Sequence, residues 1–192
     1  MRIISGTHGG RKINPPSNMP YTRPTTDIAK EGLFNIIQNN LDIEALKTLD
    51  LFGGTGSISY ELASRGAADL TIVEKDNNMY DFIKKTAQLL NLQNFKMVKS
   101  DVFKFIEQCT EQYDFVFAGP PYALGTIDDL PIKIFKQNLL NKNGWFVLEH
   151  TPGNDYKTFP FYKTEKNYGT TVFTIFVLKP KEDVGENKKD DR

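Results

Sequence analysis

The stretch Thr48-Leu-Asp-Leu-Phe-Gly-Gly-Thr-Gly-Ser57 constrains this chain more than any other. A short apolar run meets a cluster of glycines and a helical pattern follows at once, so the segment reads as strand, tight loop and helix. Lacking a Cβ, Gly53, Gly54 and Gly56 can take positive φ angles and let a ligand lie against main-chain atoms. The spacing is not the G-x-G-x-x-G of dinucleotide-binding sheets, and no Lys-Ser or Lys-Thr pair follows to cradle a phosphate. A glycine turn that only closes a buried strand is the structural alternative.

From Leu46 onward the pattern alternates strand and helix, the order of a doubly wound parallel sheet. Strands are predicted near 47–51, 70–74, 95–99, 113–118 and 144–149, with helices near 57–65, 77–91, 102–109 and 129–139. Phe161 to Asn167 and Thr171 to Leu178 flank Tyr168-Gly-Thr170 and predict an antiparallel closing hairpin. At the other end, Arg2 to Ser5 and Arg11 to Ile13 flank Gly6-Thr-His-Gly-Gly10, which predicts a short β-hairpin. Prolines 15, 16 and 20 exclude helix or central strand from residues 14–20, leaving a mobile loop. Thr25 or Thr26 then caps a helix whose first turn holds Asp27 and whose apolar stripe is Ile28, Leu33, Phe34, Ile37 and Leu41. The chain divides into an N-terminal hairpin and loop (1–24), an α/β domain (25–178) and a polar, aromatic-free tail (179–192) expected to be disordered.

A chain of 192 residues with 39% hydrophobic residues can bury the core of one domain. No apolar run is long enough for a bilayer span, and Met1-Arg-Ile-Ile-Ser-Gly6 lacks the pattern of a signal peptide, so the expected location is cytoplasmic, away from membranes. The single cysteine, Cys109, excludes an intrachain disulfide and a cysteine-based zinc site, and its expected role is packing. His8 and His150 are too few for a metal site and are expected at surface or loop positions, so no metal is expected. The zero net charge hides an asymmetry: residues 1–30 carry Arg2, Arg11, Lys12, Arg23 and Lys30 against Asp27 alone. Such a basic arm suits a polyanion such as nucleic acid, although a solvated hairpin would carry the same charges.

Ligands of such sheets lie at the carboxyl ends of the strands, which directs attention to the residues that end each one. Glu74 is placed to accept from ribose hydroxyls, while Asp76 begins the next helix. Asp101 can accept from an adenine amino group or cap a helix, and its two oxygens allow both. After the fourth strand, Gly119-Pro-Pro-Tyr122 holds main-chain carbonyls and an aromatic ring in a loop stiffened by Pro120 and Pro121, suited to gripping a planar amine.

These residues carry a resemblance. The form D-x-F-x-G-x-G, here Asp50, Phe52, Gly53, Gly54, Thr55 and Gly56, resembles motif I of S-adenosylmethionine-dependent methyltransferases. Gly119-Pro-Pro-Tyr122 resembles motif IV, Asp/Asn-Pro-Pro-Tyr/Phe, of those acting on exocyclic amines of bases, where acceptors take the amine hydrogens and the ring stacks on an extruded base. From Met1 to about Leu178 the chain resembles the RsmD-type bacterial methyltransferases, which convert one guanine of small-subunit ribosomal RNA to N2-methylguanine. Family-specific matches are Met1-Arg-Ile-Ile-Ser-Gly6, Gly9-Gly-Arg-Lys12, and Arg23-Pro-Thr-Thr-Asp27 with Glu31, Leu33, Phe34 and Asn35.

The resemblance implies a seven-stranded Rossmann-like fold. It implies a site for S-adenosylmethionine, and its product S-adenosylhomocysteine, at the motif I residues with Glu74 and Asp101. An acceptor site at Gly119, Pro120, Pro121 and Tyr122 follows, as do a 16S ribosomal RNA substrate in an assembling particle and a monomeric enzyme. RNA contacts are then expected from Arg2, Arg11, Lys12, Arg23, Thr25 and Thr26. The family pattern has Asp where this chain has Gly119, which removes a side-chain acceptor. Main-chain carbonyls could compensate, and Glu149, ending the fifth strand, is either a substitute acceptor or a structural one. Two other readings share this core. A methyltransferase of DNA or protein would not need the Arg23 to Asp27 segment, and a catalytically weakened RNA-binding assembly factor is supported by Gly119 alone.

Overall fold

A computed structural model describes residues 1–17 and 25–178. The expectations for residues 18–24, including Arg23 and the end of the proline loop, and for the tail 179–192 lie outside the described residues. In chain order the elements are α1 (Asp27–Asn40), β1 (Lys47–Leu51), α2 (Ser57–Ser64), β2 (Asp69–Glu74), α3 (Asn77–Leu89) and β3 (Phe95–Lys99). They continue with α4 (Val102–Gln108), β4 (Tyr113–Ala118), α5 (Asp129–Lys136), β5 (Leu140–His150), β6 (Tyr162–Tyr168) and β7 (Thr171–Val177). The strands form one seven-stranded sheet in the order β3-β2-β1-β4-β5-β7-β6, in which β7 runs antiparallel to both neighbours.

Strand direction and helix placement follow from burial on both faces. Along β4, Phe115 and Phe117 pack with Leu33, Phe34, Ile37 and Leu62 of α1 and α2, while Val116 and Ala118 pack with Ile106, Leu130 and Ile134 of α4 and α5. The two-residue alternation of the strand thus feeds two helical layers. Because the chain moves outward from β1 to β3 and then returns to β4 on the other side of β1, a crevice opens at the carboxyl ends of β1 and β4.

The N-terminal hairpin contains a single bridge pair, Arg2 with Lys12, and is fastened to α2 by a buried carboxylate. Glu61, fully buried, accepts from the Ile4 and Ser5 amides at 2.7 and 3.0 Å and from Arg65 Nε at 2.8 Å. Lys30 Nζ lies 3.5 Å from the same carboxylate and donates to Arg2 O. Burial pulls the Lys30 amine below its usual range, opposed by Glu61. Ser64 completes the attachment, accepting from the Thr7 amide through its carbonyl at 2.7 Å and donating its hydroxyl to Ser5 O.

Several local expectations change. Ile28 is 76% exposed, because it lies nine positions before Ile37 in the helix, which turns it to about the opposite face; the buried face is Ala29, Lys30, Leu33, Phe34 and Ile37. The fifth helix stops at Lys136, three residues earlier than expected, where Asn138 takes φ 55° and the chain turns into a longer β5. His150 is neither a surface nor a loop residue. It ends β5, paired with β7, and its ring nitrogens lie 2.7 Å from Thr151 O and 2.7 Å from Thr174 Oγ1. Cys109 is partly buried against the α4–α5 layer.

Removing one partner from the Glu61 cluster should expose the cost of its remaining charges. Glu61→Ala is expected to lower the unfolding free energy by about 3–5 kcal/mol, as seen when a buried ion pair loses one member. Urea unfolding measures this, and a loss below about 1 kcal/mol would mean that solvent replaces the carboxylate.

Candidate active site

The β1–α2 turn is built where its neighbours leave no room for side chains. Gly54 and Gly56 take φ 53° and 78°, whereas the other positive angle belongs to Phe52, at 65°, and not to Gly53. Glycine is required at position 53 for space: a Cβ there would lie 2.9 Å from Ile72 Cγ1. At Gly56 a Cβ would strike the Tyr60 ring. A non-glycine residue held in the left-handed region, as Phe52 is, stores strain of the kind found at ligand sites.

Glu74, 8% exposed, ties this turn to the next. Its Oε2 accepts from the Gly54 amide at 2.8 Å and its Oε1 from the Asp76 amide at 2.8 Å, so one carboxylate fixes the ends of β1 and β2. Asp76 caps α3 through the Met79 amide at 3.0 Å. Asp101 caps α4 through Oδ1, which accepts from Phe103 N at 3.0 Å, while its Oδ2 lies 4.0 Å from Lys75 Nζ. The capping role is therefore realised, and the Asp101 side chain stays 41% exposed.

Asp50 lies beneath the turn, its Oδ2 accepting from Ser59 Oγ at 2.7 Å. Its Oδ1 is buried without a hydrogen-bond partner among the described residues. Burial, reinforced by the charges of Glu74 and Glu149, pushes its carboxyl up to about 8. Thr55 is buried within the same turn.

Across the crevice, the Gly119 amide donates to Leu51 O at 3.4 Å, joining the end of β4 to β1. Pro121 O accepts from Leu124 N at 2.9 Å, which closes the loop and leaves Tyr122 37% exposed. The Tyr122 hydroxyl lies 3.4 Å from Glu149 Oε1 and 3.2 Å from Thr171 Oγ1. Glu149, 5% exposed, accepts from Thr25 Oγ1 at 2.8 Å, and burial raises its carboxyl above the usual range. A Cβ on Gly119 would lie 3.6 Å from Glu149 Oε2 and 3.0 Å from the Phe117 ring.

The residues expected on RNA are distributed unevenly. Arg11 and Lys12 are exposed, Arg2 pairs with Asp27 at 3.1 Å, and Thr26 accepts from Ala29 N as the cap of α1. Thr25 donates to Glu149, so the start of α1 reaches the end of β5 beside Tyr122. Sequence reasoning missed Ser59, Thr171 and the Glu61 cluster. For Glu61 a signal existed in its i,i+4 spacing to Arg65.

The crevice thus gathers three buried carboxyl groups, Asp50, Glu74 and Glu149, of which Asp50 feels the charges of both glutamates. The orphaned Asp50 Oδ1 and the glycine-rich turn fit an adenosine-bearing sulfonium. Elsewhere an open groove of about 530 Å³ is lined by Tyr80, Lys84, Gln88, Asn91, Phe95 and Met97 and contains no carboxylate. Among the described residues no group of three or more His, Cys, Asp or Glu side chains could hold a metal, and no helix is long and apolar enough to cross a membrane.

The model of the family described as Conserved hypothetical protein 95 matches residues 1–177. The ribosomal RNA small subunit methyltransferase D of Escherichia coli strain K12 is 34% identical over 149 residues, covering 78% of this chain and 71% of that protein. Its counterpart in Haemophilus influenzae is 31% identical over 153 residues, 78% of each chain. Among solved structures, the Escherichia coli protein yhhF superposes with a TM-score of 0.80 at 27% identity, covering 93% of this chain and 98% of that one.

Two outcomes are expected. Gly54→Val should abolish binding of S-adenosylhomocysteine in calorimetry, whereas Asp76→Ala should remove a helix cap worth about 1 kcal/mol and leave binding intact; equal binding losses would contradict the assigned ribose ligand. A second concerns pH. Native Asp50 holds its proton more tightly than the unfolded chain does, so its contribution to apo-protein stability is complete below about pH 4 and is lost as pH rises to about 8. Asp50→Asn should flatten that fall in urea unfolding between pH 5 and 8, and parallel wild-type and variant profiles would contradict it.

Proposed function

This chain belongs to the family described as Conserved hypothetical protein 95, and we propose that it methylates the exocyclic N2 of a guanine in small-subunit (16S) ribosomal RNA, within an assembling particle. The cofactor is S-adenosylmethionine, which when bound supplies a methyl group on a positively charged sulfonium. Sequence relatives at 34% and 31% identity that bear the name of a small-subunit ribosomal RNA methyltransferase support the RNA substrate. The single observation that carries the reaction class is the meeting, at one crevice, of the buried carboxylates with a Pro-Pro-Tyr loop.

The residues divide the work by position. Asp50 and Glu74 complement cationic and ribose groups, and the closed glycine turn brings main-chain atoms against the ligand. On the opposite wall Pro120 and Pro121 hold the loop rigid, and the exposed Tyr122 ring offers a stacking face for a base turned out of its helix. The guanine amine is conjugated and a weak nucleophile, so its orientation toward the methyl carbon supplies much of the acceleration. Arg11 and Lys12, exposed on the anchored hairpin, take phosphates beside the modified base.

Incubating the protein with unmethylated small-subunit particles and labelled S-adenosylmethionine should place label on one guanine as N2-methylguanine. Label on adenine, on protein, or nowhere while the cofactor is bound would contradict the reading. Replacing Arg11 and Lys12 by Gln should weaken particle binding and lower the slope of its logarithm against log salt by roughly 0.7–0.9 for each lost phosphate contact. An unchanged slope would show the two charges to be merely solvated.

A further inference from the structure

We propose that Glu149 is the catalytic acceptor of this enzyme, the group that holds the guanine N2 amine and receives its proton during transfer; this rests on the methyltransferase reading above. The argument begins with adjacency. β4 and β5 pair in parallel with Ala118 opposite Leu148, so Gly119, just past the end of β4, lies beside Glu149 of β5. Position 119 presents no side chain, and the polar group nearest its missing Cβ is Glu149 Oε2, at 3.6 Å. The carboxylate therefore lies beside Gly119, next to the rigid Pro120-Pro121 loop.

Its surroundings aim it. Thr25 Oγ1 donates to Oε2 at 2.8 Å and the Tyr122 hydroxyl approaches Oε1 at 3.4 Å, so both oxygens are oriented by hydroxyls. A carboxylate oxygen accepts more than one hydrogen bond, which leaves capacity for an amine hydrogen. The Tyr122 ring whose hydroxyl touches Glu149 is itself partly exposed, so a base stacked on that ring would bring an edge toward the same carboxylate. Burial raises the carboxyl above its ordinary range, which favours acceptance of a proton in the course of reaction.

The step balances. The N2 lone pair forms the bond to the methyl carbon, the carbon–sulfur bond breaks with its electron pair passing to sulfur, and one N2 proton passes to the Glu149 carboxylate. Solvent then takes that proton, restoring the carboxylate. A purely structural Glu149, which would only fasten Thr25 and Tyr122, makes different forecasts from one that touches the amine.

The test uses four proteins: wild type, Glu149→Gln, Gly119→Asp and the double variant. Glu149→Gln keeps volume and an oxygen for Thr25, so the melting temperature and S-adenosylhomocysteine affinity should hold while single-turnover transfer to unmethylated particles falls roughly hundredfold. Gly119→Asp alone should not raise the rate, since it crowds Phe117 and sets two carboxylates side by side. In the Glu149→Gln background the same change should restore at least tenfold. A loss under about threefold in Glu149→Gln, or no rescue, would overturn the proposal while leaving the methyltransferase reading intact; absence of transfer by wild type would strike that reading instead. A readout independent of turnover is binding of 2-aminopurine riboside and purine riboside to protein saturated with S-adenosylhomocysteine. Wild type should prefer the nucleoside bearing the amine by severalfold, and Glu149→Gln should not. Equal wild-type affinity for the two would overturn the assignment whatever the transfer assay gives.

Discussion

The site depends on one carboxylate that holds two turns together. Glu74 receives the amide of Gly54 on one oxygen and that of Asp76 on the other, so the loops after β1 and β2 cannot move apart without breaking a charge-assisted bond. The same turn packs too tightly against Ile72 and Tyr60 to admit a Cβ at Gly53 or Gly56. Burial disfavours the charged forms of Asp50 and Glu149 in the free protein, and a cationic ligand beside them would favour those forms.

A second constraint fixes the substrate side. Glu61 collects Ile4, Ser5, Arg65 and Lys30, which places the basic hairpin against α2 and the start of α1. From there the chain passes through the Arg2–Asp27 pair to Thr25, whose hydroxyl reaches Glu149. The basic hairpin is thus connected, contact by contact, to the carboxylate beside Gly119 and Tyr122.

Much of this was legible in the sequence because it is local. The strand–glycine–helix pattern, the alternation along β4 and the capping positions Asp76 and Asp101 are short-range signals, and the strands were placed within a few residues. What the sequence hid was long-range. Thr25 and Glu149 lie 124 positions apart, and Ile4 and Glu61 lie 57 apart, so neither contact leaves a spacing to read. Ile28 was misplaced because an apolar residue in a first turn looks like the start of a stripe until the cap fixes its angle. His150 was misjudged because β5 is buried on both faces, where Thr174 of β7 satisfies a ring nitrogen that composition alone assigns to solvent.

A crystal structure of the protein with S-adenosylhomocysteine tests the account most directly. The ribose hydroxyls should lie within hydrogen-bonding distance of Glu74, the adenine beside Asp101, and the sulfur in the crevice facing Pro120 and Glu149. A nucleoside seated instead in the groove between α3 and β3, against Tyr80 and Phe95, would contradict it.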